Sequence, residues 1–177
     1  KGMDSSANKI FLPKEYASFA VNMSFRGNEA SSRPPFINMV NEFPYAEGDE
    51  EEVFNNGNVS GVFGYTATIP LTQSYIIAAI GDCIFAGLVS GAVIQWRRIY
   101  IWIDPKWQMS FFCKANQYLV WQNGKDLPLY WDGISRQMLY CKDAPKVESP
   151  MPIGNIMVFA HGRIFVATEE NLVYASN

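Results

Sequence analysis

The chain has 177 residues, enough for one domain with a sizeable core, and 49% of them are apolar or aromatic, which excludes a disordered chain. A net charge of −3 argues against a general nucleic-acid binder, which needs a basic stripe to neutralise phosphates, but leaves room for DNA passing through a lumen whose wall does not stick. Three cysteines, Cys83, Cys113 and Cys141, with no C-x-x-C spacing, argue against a disulfide framework or structural zinc site and read as small buried hydrophobes.

Residues 1–44 read as an extended N-terminal arm. The start is polar and carries no secretory signal pattern, and its first residue, Lys1, points to a fragment or a processed product. Tyr16–Met23 is a strand or a short helix, and Pro34-Pro35 forces an extended backbone after Arg33. Residues 45–61 read as an exposed acidic loop, with Glu47–Glu52 followed by the turn signal Asn56-Gly57. The acidic residues lack the spaced ligands of a calcium loop.

From residue 62 to residue 177 the pattern is all-β. Runs of β-branched and aromatic residues alternate with tight turns, and helix signatures are nearly absent. The apolar stretch 75–94 is broken by Gly81-Asp82, Gly87 and Ser90-Gly91, so it reads as strands and not as a membrane span. Three segments share the order strand, tight turn, strand, turn, strand. They centre on Ile84, Tyr118 and Ile164, at spacings of 34 and 46, about 40 on average, the length of a propeller blade. The expected fold is therefore a set of blade-like antiparallel meanders, a partial β-propeller, with a β-sandwich as the competing architecture. Three units do not close a propeller, so the repeat domain reads as incomplete at its C-terminus or completed by a partner.

Little here carries chemistry. The single histidine, His161, sits in a turn of the form Ala-His-Gly-Arg and reads as a turn residue. A dyad with Cys113 is the remaining nucleophile-base pairing, and no G-x-S-x-G elbow exists. No phosphate loop, dinucleotide fingerprint or metal-binding H-E-x-x-H is present, so no cofactor and no metal are expected. Asp104, Asp132 and Asp143 are the carboxylates to weigh for glycoside chemistry, although Asp132-Gly133 is better explained as a turn. Five tryptophans offer two readings: filling between stacked sheets, which is preferred, or glycan stacking, for which Trp121 and Trp131 are the candidates.

Several short motifs carry a resemblance. Gly2-Met3-Asp4-Ser5-Ser6, Leu12-Pro13, Ala20-Val21-Asn22-Met23 and Arg33-Pro34-Pro35-Phe36 together resemble the N-terminal stretch of tail nozzle (tail tubular) proteins of short-tailed bacteriophages. Asn116-Gln117-Tyr118-Leu119-Val120 and His161-Gly162-Arg163-Ile164-Phe165-Val166 are similar to propeller strands of such virion proteins. The chain is much shorter than a nozzle protein, and its acidic segment has no counterpart there. The resemblance implies a virion protein of the tail, made in the host cytoplasm and without enzymatic turnover. Its partners would be further copies in a ring, hexameric by this resemblance, and neighbouring tail or adaptor proteins, with DNA leaving through the lumen. It makes the arm a docking element, with Asp4, Arg33, Pro34 and Pro35 as candidate assembly contacts. The alternative from the aromatic residues is a carbohydrate- or receptor-binding propeller module.

Overall fold

The computed structural model describes residues 23–26, 29–32, 38–102, 109–144, 150–168 and 172–176. The chain divides into two compact units, residues 1–38 and 39–177. In the first, β1 (Met23–Arg26) and β2 (Glu29–Ser32) pair as an antiparallel hairpin. The expected strand or helix over Tyr16–Met23 lies, except for Met23, outside the described residues. The boundary falls at residue 38, not at 44, because β3 (Val40–Glu42) already belongs to the larger unit.

That unit is built on three sheets. The first contains β4 (Val59–Ala67), β5 (Gln73–Ile80), β6 (Cys83–Ser90) and β7 (Val93–Ile101), an antiparallel meander of four consecutive strands. β3 adds a fifth strand, parallel to β7, and Trp96 Nε1 donates to Asn41 Oδ1 at 2.8 Å beside it. The second sheet is another four-strand meander, β8 (Phe111–Ala115), β9 (Tyr118–Gln122), β10 (Leu129–Trp131) and β11 (Leu139–Tyr140). The third has three described strands, β12 (Ile156–Ala160), β13 (Arg163–Ala167) and β14 (Val173–Ala175). The fold is thus mostly β with antiparallel sheets, as the alternating pattern and turn residues require.

The turns expected at Gly81-Asp82 and His161-Gly162 are present, and the apolar stretch 75–94 is β5, β6 and the start of β7. Among the described residues no helix is long and apolar enough to cross a membrane. The repeat is longer than its sequence spacing suggested. Ile84 lies in the third strand of its meander, whereas Tyr118 and Ile164 lie in second strands. The three second strands begin at Gln73, Tyr118 and Arg163, 45 residues apart each time. The first meander opens with β4, whose Gly61 and Gly64 break the apolar run that would have marked it as the first strand of the unit.

The acidic segment differs most from expectation. It is not an exposed loop: α1 (Glu50–Asn56) forms there, with Glu50, Glu51 and Glu52 in its first turn, where carboxylates favour the positive end of the helix dipole. Asn56-Gly57 ends this helix instead of turning a hairpin. The close fit at Gly57 excludes a side chain, since an added Cβ would lie 2.6 Å from Val53 O and 2.8 Å from Ile80 Cγ2. Val53 and Phe54 of α1, with Met39 and Phe43, pack over Ala78, Ile80, Cys83, Phe85, Ile94 and Trp96. The opposite face of the first sheet carries Tyr65, Tyr75, Ile77, Ala79, Ile84 and Ile99, which pack against Leu119, Trp121, Leu129 and Trp131 of the second sheet. The first sheet is therefore packed on both faces, by the second sheet on one and by α1 over β5–β7 on the other.

Candidate assembly surface

The residues expected to carry function are distributed as follows. Asp4, Arg33, Pro34 and Pro35, the candidate assembly contacts, lie outside the described residues, as does Asp104. Trp121 and Trp131 do not form a glycan platform. Both are fully buried between the first and second sheets, so neither ring presents a face to a sugar. Trp131 sits against Tyr65 and Tyr75, donates from Nε1 to Ser135 O at 2.8 Å, and is covered by the Arg97 guanidinium 5.3 Å from its ring. Trp121 stacks on Trp102 at 5.5 Å. These are the packing roles that aromatic residues take between sheets.

His161 is an exposed turn residue with a left-handed backbone, φ 51°, whereas Cys113 is buried on β8. Asp132 is engaged in its own turn: Oδ1 accepts from Ile134 N at 2.8 Å and Ser135 N at 2.7 Å, and Oδ2 from Ser135 Oγ at 2.7 Å. Among the described residues no group of three or more His, Cys, Asp or Glu side chains is placed to hold a metal. Cys83 and Cys113 are buried, as expected, while Cys141 is only partly so; all three are free thiols.

What the structure does bring together is a series of sheet junctions built on one plan. β8 touches both β4 and β12, so the first strands of three successive sheets are neighbours. At the β4–β8 junction Ser110 N donates to Ser60 O at 3.1 Å, and Lys114 Nζ donates to Thr66 O at 2.7 Å. Gly61 permits this approach: a Cβ there would stand 2.6 Å from Ser110 O. At the second junction Gly154 N donates to the buried Gln122 Oε1 at 2.6 Å, and the Cys113 thiol meets the Phe159 backbone.

Among the described residues the third sheet leaves apolar surface exposed. The pairing register puts Ile156, Val158, Phe165, Ala167, Val173 and Ala175 on one face of the third sheet. Ile156 is 63% exposed, Val158 54% and Val173 68%. On the first sheet α1 covers β5–β7 but leaves β4 bare, with Val59 56% and Val62 62% exposed. Scattered exposed apolar residues are ordinary, but a run of them on one sheet face is the mark of an interaction surface. A signal for it stood in the sequence. The run Ile156-Met157-Val158-Phe159-Ala160 is apolar on both sides of its strand, the pattern of a strand buried on both faces.

A concavity lies where the first and second sheets meet, about 320 Å³ in volume and edged by the exposed Tyr45, Leu71 and Ile134, with Arg97 and Gln95 in its lining. It opens beside a charged groove that carries Glu47, Glu50, Arg98 and Arg136. In that groove Arg98 Nε pairs with the buried Glu50 Oε1 at 3.3 Å and Nη1 with Asp49 Oδ1 at 3.2 Å, fixing α1 to β7. Sequence reasoning missed this anchor because it placed Asp49 and Glu50 in a solvated loop. No protein-family model matches the chain, and neither a curated protein nor a solved structure matches it.

Proposed function

We propose that this chain is a non-catalytic assembly protein of a bacteriophage tail, a blade-like partial β-propeller that joins copies or neighbours around a channel. The observation that carries the reading is the apolar face of Ile156, Val158 and Val173 on the third sheet, which is exposed among the described residues. Propeller blades are four-strand meanders arranged around a central channel. The meanders β4–β7 and β8–β11, and the contacts of β8 with both β4 and β12, support that arrangement. The tail assignment rests on the motif resemblance of the N-terminal arm, and the acidic net charge suits a lumen that lets DNA pass without holding it. The carbohydrate-binding alternative loses its two platforms, since Trp121 and Trp131 are core residues.

The test is the mass and shape of the full chain in solution, by size-exclusion chromatography with light scattering and by negative-stain imaging. The expected result is an assembly larger than one 20.0 kDa chain with a central channel. A strictly monomeric protein at tens of micromolar overturns the reading.

A further inference from the structure

Three arginines lie near the concavity between the first and second sheets, and two of them are neutralised. Arg98 holds Asp49 and Glu50, and Arg136 holds Glu47. Arg97 meets no carboxylate among the described residues. It points to the face of β7 turned toward the second sheet, with its guanidinium 5.3 Å from the Trp131 ring centre. Its charge also reaches the Tyr75 hydroxyl, where it opposes the upward push of burial. A cation–π contact holds a guanidinium without consuming its N–H donors, which keep the fork geometry that takes a carboxylate. Among the described residues Arg97 is the only charged side chain lining the concavity of about 320 Å³. Tyr75 and Leu88, cross-strand neighbours on β5 and β6, line it from the sheet. Its rim is apolar and comes from three turns. Tyr45, 77% exposed, follows Pro44 where β3 has ended; Leu71, 69% exposed, stands between β4 and β5; Ile134, 55% exposed, sits in the turn that Asp132 holds.

We infer that this concavity docks a segment of a partner protein that carries an aromatic side chain beside a carboxylate, the ring entering the hollow and the carboxylate pairing with Arg97. Charge complementarity selects the anion, because the hollow offers one cation and otherwise neutral or apolar walls. The volume selects one large side chain over a cofactor, since it lies at the lower end of the range of about 300–1,000 Å³ found for ligand pockets. The rim selects a protein segment over a small free acid. Tyr45, Leu71 and Ile134 stand around the mouth and would stay wet around a small ligand, whereas a chain crossing the mouth covers them. A buried aromatic anchor ringed by contacts that exclude water is the usual anatomy of a protein–protein hot spot. The site is complete within one chain, so it stands or falls independently of the assembly reading.

The experiment is amide correlation NMR on the full chain, titrated with the capped peptides Gly-Trp-Glu-Gly and Gly-Trp-Gln-Gly and with indoleacetate. The expected result is saturable shifts at Tyr45, Leu71, Arg97 and Ile134, with the Trp-Glu peptide bound about tenfold or more tightly than the Trp-Gln peptide. Arg97→Gln is expected to abolish that preference. Ile134→Glu changes an exposed side chain and so keeps the fold; it is expected to weaken the Trp-Glu peptide more than the Trp-Gln peptide, by repelling the carboxylate. Amide dispersion shows that each variant is folded, and Ile134→Glu carries the test should Arg97→Gln loosen the packing on Trp131. Equal binding of the two peptides to the wild type overturns the role of Arg97, and with it the inference. Indoleacetate bound as tightly as the Trp-Glu peptide overturns the partner segment in favour of a small aromatic acid. No saturable shift at millimolar peptide, or shifts away from the concavity, overturns the site itself.

Discussion

Gln122 and Gly154 join the second and third sheets through a buried hydrogen bond, with Gly154 N donating to Gln122 Oε1 at 2.6 Å. Gln122 is fully buried, and its Nε2 has no partner. An amide with one satisfied and one unsatisfied end stabilises less than a fully paired one, because the orphan donor has lost its water. Gln122→Met removes the orphan donor but leaves Gly154 N unpaired. The expected cost is about 1–2 kcal/mol in urea denaturation. Hydrogen exchange is expected to quicken in β12–β14 while β5 and β6 stay protected. Equal loss of protection in all three sheets would show that the bond has no local role.

The second anchor is ionic. Glu50 is buried, and Arg98 holds it at 3.3 Å while also reaching Asp49. Removing the cation leaves a buried carboxylate without compensation, a situation that costs about 3–5 kcal/mol when fully enclosed. Arg98→Ala is therefore expected to lower stability by about 3 kcal/mol. Glu50→Gln, which keeps an acceptor toward Arg98 and removes the buried charge, is expected to cost about 1 kcal/mol. Chemical denaturation of both variants checks the order; Glu50→Gln costing more than Arg98→Ala would sink the account.

Legibility in the sequence followed how local the determining physics was. The alternation around Ile76–Ile80, Tyr118–Trp121 and Ile164–Ala167, and the turns at Gly81 and Gly162, are settled by neighbours within a few residues, and these strands were readable. β3 was not, because Val40–Glu42 becomes a strand only by pairing with Val93–Gln95, more than fifty residues away. Nor was α1. Seven residues are too few to form a helix alone, and its stability comes from Val53 and Phe54 on the sheet and from the Arg98 pair. Trp121 and Trp131 carried the same alternating pattern whether they faced a sugar or another sheet. Only the opposing Tyr65 and Tyr75, brought up by the first sheet, decide between the two.

Asp132 supplies a pH test. Burial pushes its carboxyl upward, but hydrogen bonds from the Ser135 backbone and hydroxyl and from the Ile134 backbone outweigh that and hold it below its ordinary value of 3.8. A depressed carboxyl stabilises the folded chain above the unfolded value, and that contribution is lost as pH falls through the folded one. Asp132→Asn keeps Oδ1 as an acceptor but sets an amide against Ser135 Oγ. At pH 7 it is expected to be less stable than the wild type by about 1 kcal/mol. The gap should narrow as pH drops below about 4, where the wild-type carboxylate takes up its proton. Urea midpoints for the pair at pH 7 and pH 2.5 measure it, and a gap unchanged at low pH would remove Asp132 from the explanation.

Cys83 provides the complementary test at high pH. Burial, with the Asp82 carboxylate hydrogen-bonded to its thiol, pushes it from 9.0 up to about 12. A raised thiol contributes stability that is complete below 9.0 and is lost as pH rises toward 12. Cys141 is pushed up to about 12 by burial, and burial also raises Cys113. Thiolates are the reactive form, so none of the three is expected to react quickly with a thiol reagent at pH 8, while all three react after unfolding in urea. Cys83→Ser removes the titrating group but keeps a donor toward Asp82. Its melting temperature is expected to fall less steeply than the wild type's between pH 9 and pH 11. Parallel slopes, or a fast-reacting Cys83 in the native chain, would show that this thiol is not held in the protonated, enclosed state that the packing of Phe85 and Trp96 around it requires.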